Sequence, residues 1–216
     1  MTFNHKQLLA ALGMVLLAGA AHAQADTSSL NGWSVLGDVV SRSGALSLTT
    51  AYTDEAGNLS GNPAEFADTI EAAAGLNFHA LDVSSDPAGE GTEGSLAMQS
   101  FAAVAGQTVS FDWSFSSEDT LFSDHAFVVI DGKVTTLATT SQPGSGVQTF
   151  SFTADHTGSL SLAFGVIDTG DYVGVSSLQV ENLQSSVISP VPEPTNVALL
   201  LAGLGVVGFV AKRRKA

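Results

Sequence analysis

The segment TVSFDWSFS, residues 108–116, decides the fold class. Four apolar residues alternate in it with small or polar ones: Val109, Phe111, Trp113 and Phe115. Successive side chains of a β-strand point to opposite faces of the sheet, so this period of two is typical of a half-buried strand. We therefore predict a strand here, with Trp113 in the hydrophobic core.

Similar short runs recur along the chain, separated by Gly, Ser, Asp and Pro, at residues 44–52, 125–131, 147–154, 158–168 and 173–183. The run at 125–131 is almost wholly apolar, which favours a central strand. In 173–183 the apolar phase changes between Val175 and Leu178, which indicates a β-bulge. Several strands with turns between them predict a mainly β protein, an antiparallel β-sandwich or jelly roll.

One segment, NPAEFADTIEAAAGL at residues 62–76, has the period of a helix instead. Asn62 is a candidate N-cap, Pro63 would take the first helical position, and Gly75 can end the helix. We predict one short helix at about 64–74, packed over one end of the sandwich. The polar stretches on either side, 53–62 and 84–95, are predicted to be loops.

Charge is distributed very unevenly along the 216 residues. Residues 24–189 contain 20 acidic residues and two basic ones, a formal charge of −18. Such a surface repels phosphate backbones, so we expect no nucleic-acid partner, whereas cations would be attracted. The chain has no cysteine, which excludes thiol catalysis and thiolate metal ligands.

The first 23 residues have the layout of a secretory signal peptide. A weakly basic start is followed by the uncharged apolar segment Leu8–Ala20 and by an A-x-A box at Ala21 and Ala23. This pattern predicts cleavage before Gln24. An uncleaved N-terminal anchor is the alternative.

The last 22 residues have the layout of a membrane anchor. Thr195–Ala211 carries no charge, and its 17 residues reach about 25 Å as a helix, the short limit of a bilayer span. A basic cluster follows: Lys212, Arg213, Arg214 and Lys215. The positive-inside rule keeps these residues in the cytoplasm, so a transmembrane helix at 195–211 would leave the domain on the periplasmic side of the inner membrane.

A Pro-Glu-Pro sequence, Pro192, Glu193 and Pro194, precedes the predicted span, and its prolines keep the chain extended. With Val191, the span and the basic cluster, it resembles the PEP-CTERM sorting signal of Gram-negative bacteria. The resemblance implies processing near the Pro-Glu-Pro by an exosortase, a membrane-embedded enzyme with its own catalytic cysteine. It also implies association with extracellular polysaccharide and the biofilm matrix.

The middle of the chain resembles the sandwich domains of PEP-CTERM proteins, in the stretches 93–101, 105–115, 124–132 and 165–183. The last of these is similar to the closing strands of carbohydrate-binding jelly rolls. We thus divide the chain into a signal peptide (1–23), an acidic sandwich domain (24–189) and a sorting signal (190–216).

Two kinds of binding site are candidates. Calcium prefers oxygen ligands from acidic loops, which two groups could supply: Asp54, Glu55 and Asn58, or Asp168 and Asp171. Solvated acidic turns are the alternative for both groups. Glycan contacts need exposed aromatic rings, and three could lie at loop ends: Trp33, Tyr52 and Tyr172. Packing in the core or at its edge is the alternative for each.

The sequence contains no recognisable catalytic constellation. His79, His125 and His156 lack the close spacing of a zinc site, no G-x-S-x-G motif occurs, and acid pairs are expected by chance among 20 acidic residues. We predict a non-enzymatic, structural or adhesive protein of the cell surface or extracellular matrix. A lectin-like glycan-binding module, with or without calcium, is the alternative, and an envelope hydrolase is a third.

Overall fold

A computed structural model gives the structure, which describes residues 27, 30–84 and 87–186. The predicted signal peptide, Pro-Glu-Pro motif, transmembrane helix and basic cluster lie outside these residues. Within the described ranges, no helix is long and apolar enough to cross a bilayer.

The described residues form eleven strands and one α-helix. The first part of the chain contains β1 (Ser34–Leu36), β2 (Asp38–Arg42), β3 (Ala45–Thr49), β4 (Glu65–Phe66), α1 (Ala67–Ala74), a 3-10 turn (Pro87–Gly89) and β5 (Gly91–Ala103). The second part contains β6 (Thr108–Ser117), β7 (His125–Ile130), β8 (Lys133–Thr139), β9 (Gln148–Thr153), β10 (Gly158–Thr169) and β11 (Ser176–Ser186).

The strands form two antiparallel sheets. Sheet A has the order β1-β5-β10-β7-β8, with β4 also paired to β5, and sheet B has the order β2-β3-β11-β6-β9. If β3 and β5–β11 are numbered one to eight along the chain, the sheets read 2-7-4-5 and 1-8-3-6. This is the strand order of a jelly roll, which confirms the predicted fold class.

The main hydrophobic core lies between the two sheets. Val109, Phe111, Trp113 and Phe115 of β6 all point into it, as their alternation predicted. The Phe111 ring meets Phe164 of β10 edge-on, with the ring centroids 4.7 Å apart, and stacks on Phe150 of β9 at 5.2 Å. Burial of these apolar surfaces is the main force that holds the sheets together.

A second core lies on the outer face of sheet A, beneath α1. Ile70 of the helix packs there with Leu96, Phe127 and Ile167. Strands β7 and β10 are therefore covered on both faces, by sheet B and by the helix. This explains why residues 126–130 are an unbroken apolar run.

Gly165 of β10 is needed for this packing. It pairs with Phe127, and a Cβ at position 165 would collide with the Phe127 ring. Any larger residue would displace that ring from the second core.

The helix begins three residues later than predicted, and the predicted N-cap is wrong. Glu65 and Phe66 pair with Gly94 and Glu93 of β5, which keeps residues 65–66 extended. Phe66, not Asn62, is the N-cap residue, and it makes no side-chain cap hydrogen bond. Gly75 ends the helix in the left-handed conformation, as predicted (φ 70°).

Two other local predictions are corrected. The bulge in β11 lies between Glu181 and Gln184, and Val175 precedes the strand. The two unpaired residues let Leu183 join Val180 in the core. The predicted loop 84–95 is also too long, because Gly91 already begins β5.

Candidate functional site

One end of the jelly roll carries a cleft of about 460 Å³. Its wall is formed by the start of α1, the segment after the helix and the loop between β10 and β11. The loops on this side also carry most of the acidic residues discussed below. The cleft therefore joins a concave surface to nearby charge, a common setting for a binding site.

Three aromatic rings line the cleft and are open to solvent. Phe66 is 58% exposed, Phe78 69% and Tyr172 53%. The His79 ring lies against Phe78, with centroids 3.8 Å apart, and its Nδ1 is 2.8 Å from Oδ2 of Asp82. Exposed aromatic faces next to polar groups are typical of surfaces that bind a ligand with both apolar and polar sides.

Two carboxylates hold the wall of the cleft in place. Glu71 of α1 is buried, and its two oxygens accept hydrogen bonds from the backbone N–H groups of His79 (2.9 Å) and Leu81 (2.8 Å). Asp82 Oδ1 accepts a hydrogen bond from the N–H of Gly91 at 3.0 Å. The segment that carries Phe78 is thus fastened to both α1 and β5.

Beside the cleft, three aspartates come together. One carboxylate oxygen from each of Asp119, Asp168 and Asp171 lies within 4.8 Å of the others. Asp119 belongs to the loop between β6 and β7, Asp168 to the end of β10, and Asp171 to the loop that carries Tyr172. Oxygen ligands in this arrangement could hold a hard cation such as calcium.

Two more buried acids stand behind the three aspartates. Asp124 accepts hydrogen bonds from the Ser176 hydroxyl at 2.7 Å and the Thr169 N–H at 3.1 Å. Burial raises the pKa of Glu93 to about 8. Burial and the adjacent charge of Asp124 also raise the pKa of Asp168, because two close carboxylates oppose each other's ionisation.

The structure separates the predicted calcium ligands into two groups. It brings Asp168 and Asp171 together and adds Asp119. In the other group, Glu55 accepts a hydrogen bond from the Tyr52 N–H. The Asn58 side-chain amide donates hydrogen bonds to the carbonyls of Ala51 and Asn62. These contacts fold the loop on itself and leave Asp54 exposed.

The predicted glycan-contact residues have three different positions. Trp33 is a correction, because it is buried in the main core with its ring 5.7 Å from that of Phe164. Tyr52 is half-buried. Burial raises its pKa, and the charge of nearby Glu93 raises it further. Tyr172 is exposed in the cleft. Its role, like that of Tyr52, stays a prediction.

Sequence reasoning missed Phe66, Phe78 and Asp119. Phe66 lies within the segment whose period predicted a helix, and Phe78 follows it in a segment without periodicity. Asp119 lies about 50 residues from Asp168, and only the fold brings them together. An Asp two residues after a strand was the sole signal.

The three described histidines do not converge. His79 pairs with Asp82, and exposed His156 lies 2.7 Å from Asp155, which raises the pKa of His156. His125 is buried in β7, and burial lowers its pKa to about 4.

Comparison with known proteins identifies the C-terminal segment. Residues 190–215 match the family described as the PEP-CTERM protein-sorting motif. The protein therefore carries this motif, which indicates an exported protein anchored at the membrane by its C-terminus until an exosortase processes it. The match covers only this segment of the chain.

No curated protein is significantly similar to this chain. Among solved structures, one described as "CBM4 structure and function" is similar with 14% sequence identity and a TM-score of 0.36, over 72% of this chain and 94% of that one. A likeness of this size says nothing about what the present protein binds.

Proposed function

We propose that this protein is an exosortase substrate with a structural or adhesive role at the cell surface or in the extracellular matrix, in association with exopolysaccharide. The PEP-CTERM motif at residues 190–215 carries the proposal. Before processing, the sandwich domain would lie on the periplasmic side of the inner membrane. In this proposal the domain acts by binding and packing, without catalysis.

The chemistry of the motif supports processing near Pro192–Pro194. The two prolines disfavour a helix at residues 192–194 and would favour an extended chain there. An extended backbone is the form in which a protease can bind a peptide. Cleavage here would release an acidic domain, whose net charge favours solubility outside the cell.

Mass spectrometry of the protein from its native envelope tests this proposal. We expect a processed form that ends near residue 190 and accumulates outside the inner membrane. The double substitution Pro192→Ala/Pro194→Ala should abolish that form. Pro143→Ala is the matched control, since Pro143 lies in a loop of the described domain. Recovery of only the intact chain through Ala216 would contradict the proposal.

A second function, glycan binding, is favoured by the cleft. Sugar rings have apolar faces that pack on aromatic side chains and hydroxyl groups that bond carboxylates. The cleft combines Phe66, Phe78 and Tyr172 with the acidic residues Asp68 and Glu90. This pairing supports a lectin-like surface next to the structural role.

Affinity electrophoresis in gels that contain the producer's own exopolysaccharide tests the second function. We expect retardation of the wild-type protein. Tyr172→Ala or Phe78→Ala should each lower the affinity for the polysaccharide at least tenfold. Val147→Ala is the control, because Val147 is equally exposed (59%) but lies in the loop between β8 and β9. Equal migration of wild type and all variants would rule out binding in the cleft, while the sorting proposal would stand.

A further inference from the structure

We propose that Asp119, Asp168 and Asp171 form a calcium site that joins the β6–β7 loop to the β10–β11 loop. The proposal does not depend on sorting or on glycan binding. It rests on the geometry of three carboxylates, on oxygens that lack partners, and on the missing countercharge around them.

The distances fit a single ion. Calcium binds oxygen at 2.3–2.6 Å, so two ligands on opposite sides of one ion lie about 5 Å apart. The three carboxylate oxygens are all within 4.8 Å of one another. One ion between them would therefore reach all three with little movement of the backbone.

Two of the ligands are already oriented by the backbone. Asp119 Oδ1 accepts hydrogen bonds from the N–H groups of Leu121 (2.6 Å) and Phe122 (3.3 Å), and Asp171 Oδ1 accepts one from Val173 at 3.0 Å. Each residue thus uses one oxygen to fix its side chain. The other oxygen remains available to coordinate a cation.

Carboxylate oxygens that lack hydrogen-bond partners point to a bound cation. Asp119 Oδ2 and Asp168 Oδ1 are buried and accept no hydrogen bond from any described residue, and the same holds for Glu93 Oε2. Asp168 is 1% exposed. A buried carboxylate oxygen with no donor costs free energy unless a cation or a proton compensates it.

Asp38 shows how this protein treats a buried carboxylate that has only a structural role. Asp38 is fully buried, and its oxygens accept hydrogen bonds from the Thr49 hydroxyl (2.5 Å) and from the N–H groups of Leu59 (2.9 Å) and Ser60 (2.6 Å). Both oxygens are satisfied. The contrast with Asp168 and Asp119 distinguishes a built site from an ordinary buried acid.

No basic side chain compensates these acids in the described part of the chain. Arg42 donates to the Leu59 carbonyl, and the ion pairs found there join only His79 to Asp82 and His156 to Asp155. Together with Asp124, the three aspartates form a group of close carboxyl groups with no basic partner among the described residues. A divalent cation supplies the missing positive charge.

The ligand type favours calcium over a transition metal. All candidate ligands are oxygens, and neither histidine nor cysteine belongs to the group. Hard oxygen ligands suit calcium, whereas zinc and copper prefer nitrogen and sulfur. A bound ion would also fix Tyr172, the neighbour of Asp171, at the edge of the cleft.

Thermal unfolding of the full-length protein in a nonionic detergent tests the site. At a calcium concentration about one hundred times Kd, we expect a melting temperature roughly 5–10 °C above that in chelator. Isothermal titration with calcium chloride should give one site per chain. Asp119→Asn and Asp171→Asn should each reduce the thermal shift to a small fraction and weaken binding at least tenfold.

The controls separate a site from general attraction to an acidic surface. Asp119→Asn and Asp171→Asn retain an oxygen for the backbone hydrogen bonds, so they should fold even if Asp168→Asn does not. Asp54→Asn removes the same charge from the other predicted calcium loop and should keep the full shift. No shift or binding heat in the wild type, an equal loss in Asp54→Asn, or an equal shift with sodium chloride of the same ionic strength would overturn the proposal.

Discussion

At the scale of single residues, the buried polar groups of this domain differ in how their charge is compensated. Asp38 is satisfied by hydroxyl and backbone donors, whereas Asp168 keeps an oxygen without a donor. His125 is kept neutral by burial, which lowers its pKa to about 4. For Asp38 and His125 this difference leads to different predictions for the stability of the domain.

Replacement of Asp38 by alanine should destabilise the domain strongly. The change leaves the Thr49 hydroxyl and the N–H groups of Leu59 and Ser60 without an acceptor, which costs about 2–4 kcal/mol in free energy of unfolding. Urea denaturation measures this loss. Asp54→Ala, at an exposed position, should change the free energy by less than about 0.5 kcal/mol. Similar losses in both variants would contradict the assigned role.

His125 should make the domain less stable in acid. The unfolded chain binds a proton at His125 near its ordinary pKa of 6.5, but the folded chain does so only near pH 4, so the contribution of His125 to stability falls as the pH drops through this window. At pH 5 the loss is about 2 kcal/mol relative to pH 7.

The variant His125→Phe keeps a ring of similar size and removes the titration. Urea denaturation in chelator at pH 7 and pH 5 should therefore show that, on going from pH 7 to pH 5, the free energy of unfolding of the variant changes by about 2 kcal/mol more in the stabilising direction than that of the wild type. The raised pKa values of Glu93 and Asp168 act in the opposite direction, but they affect both proteins alike. An unchanged pH dependence would show that His125 is not held neutral.

At the scale of elements, α1 decides the environment of sheet A. Its Ile70 side chain covers Phe127 and Ile167, so β7 and β10 have no solvent-facing side where the helix lies. The helical period of residues 62–76 predicted the element. Its start could not be read from the sequence, because the β4–β5 pairing competes with helical hydrogen bonds at residues 65–66.

Truncation of Ile70 to alanine should remove much of the contribution of the second core. Large-to-small changes at fully buried positions cost about 2–5 kcal/mol, and Ile70 is 0% exposed. Thr69→Ala, one residue away on the exposed face of the helix, should cost less than about 0.5 kcal/mol. Equal midpoints in thermal unfolding would indicate that α1 does not pack as described.

At the scale of the whole molecule, the main feature is the large negative charge of the domain. Residues 24–189 carry a formal charge of −18, and the acids at the loop end of the sandwich lie close together. Like charges repel more strongly in the compact folded state than in the expanded unfolded chain. Repulsion between acidic residues therefore acts over the whole domain as well as at the proposed calcium site.

Salt should therefore stabilise the domain. Raising sodium chloride from about 0.01 to 0.3 M in chelator shortens the Debye length from about 30 Å to below 10 Å, and the melting temperature should rise by a few degrees. The double variant Asp54→Asn/Glu118→Gln, which removes two loop charges, should show a smaller rise. A melting temperature that falls with salt would contradict net repulsion between the acidic residues as the main electrostatic effect on stability.

Much of the architecture was predictable because it depends on local periodicity. The alternation in residues 108–116 predicted β6 and the burial of Trp113, and both are confirmed. Trp33 could not be assigned correctly, because no period surrounds it. Likewise, Gly91 and Gly94 made the start of β5 look like a loop, although pairing with β4 and β10 makes it a strand.

The sequence by itself determined the fold class, the acidic character of the domain and the sorting motif at residues 190–215, since each depends on composition or on residues adjacent in the chain. Only the tertiary structure decided which loops meet. It placed Asp119 beside Asp168 and Asp171, brought Phe66 and Phe78 into one cleft with Tyr172, and buried Trp33. The physical reason is that strand pairing across a jelly roll brings distant segments together, and no local pattern encodes such contacts.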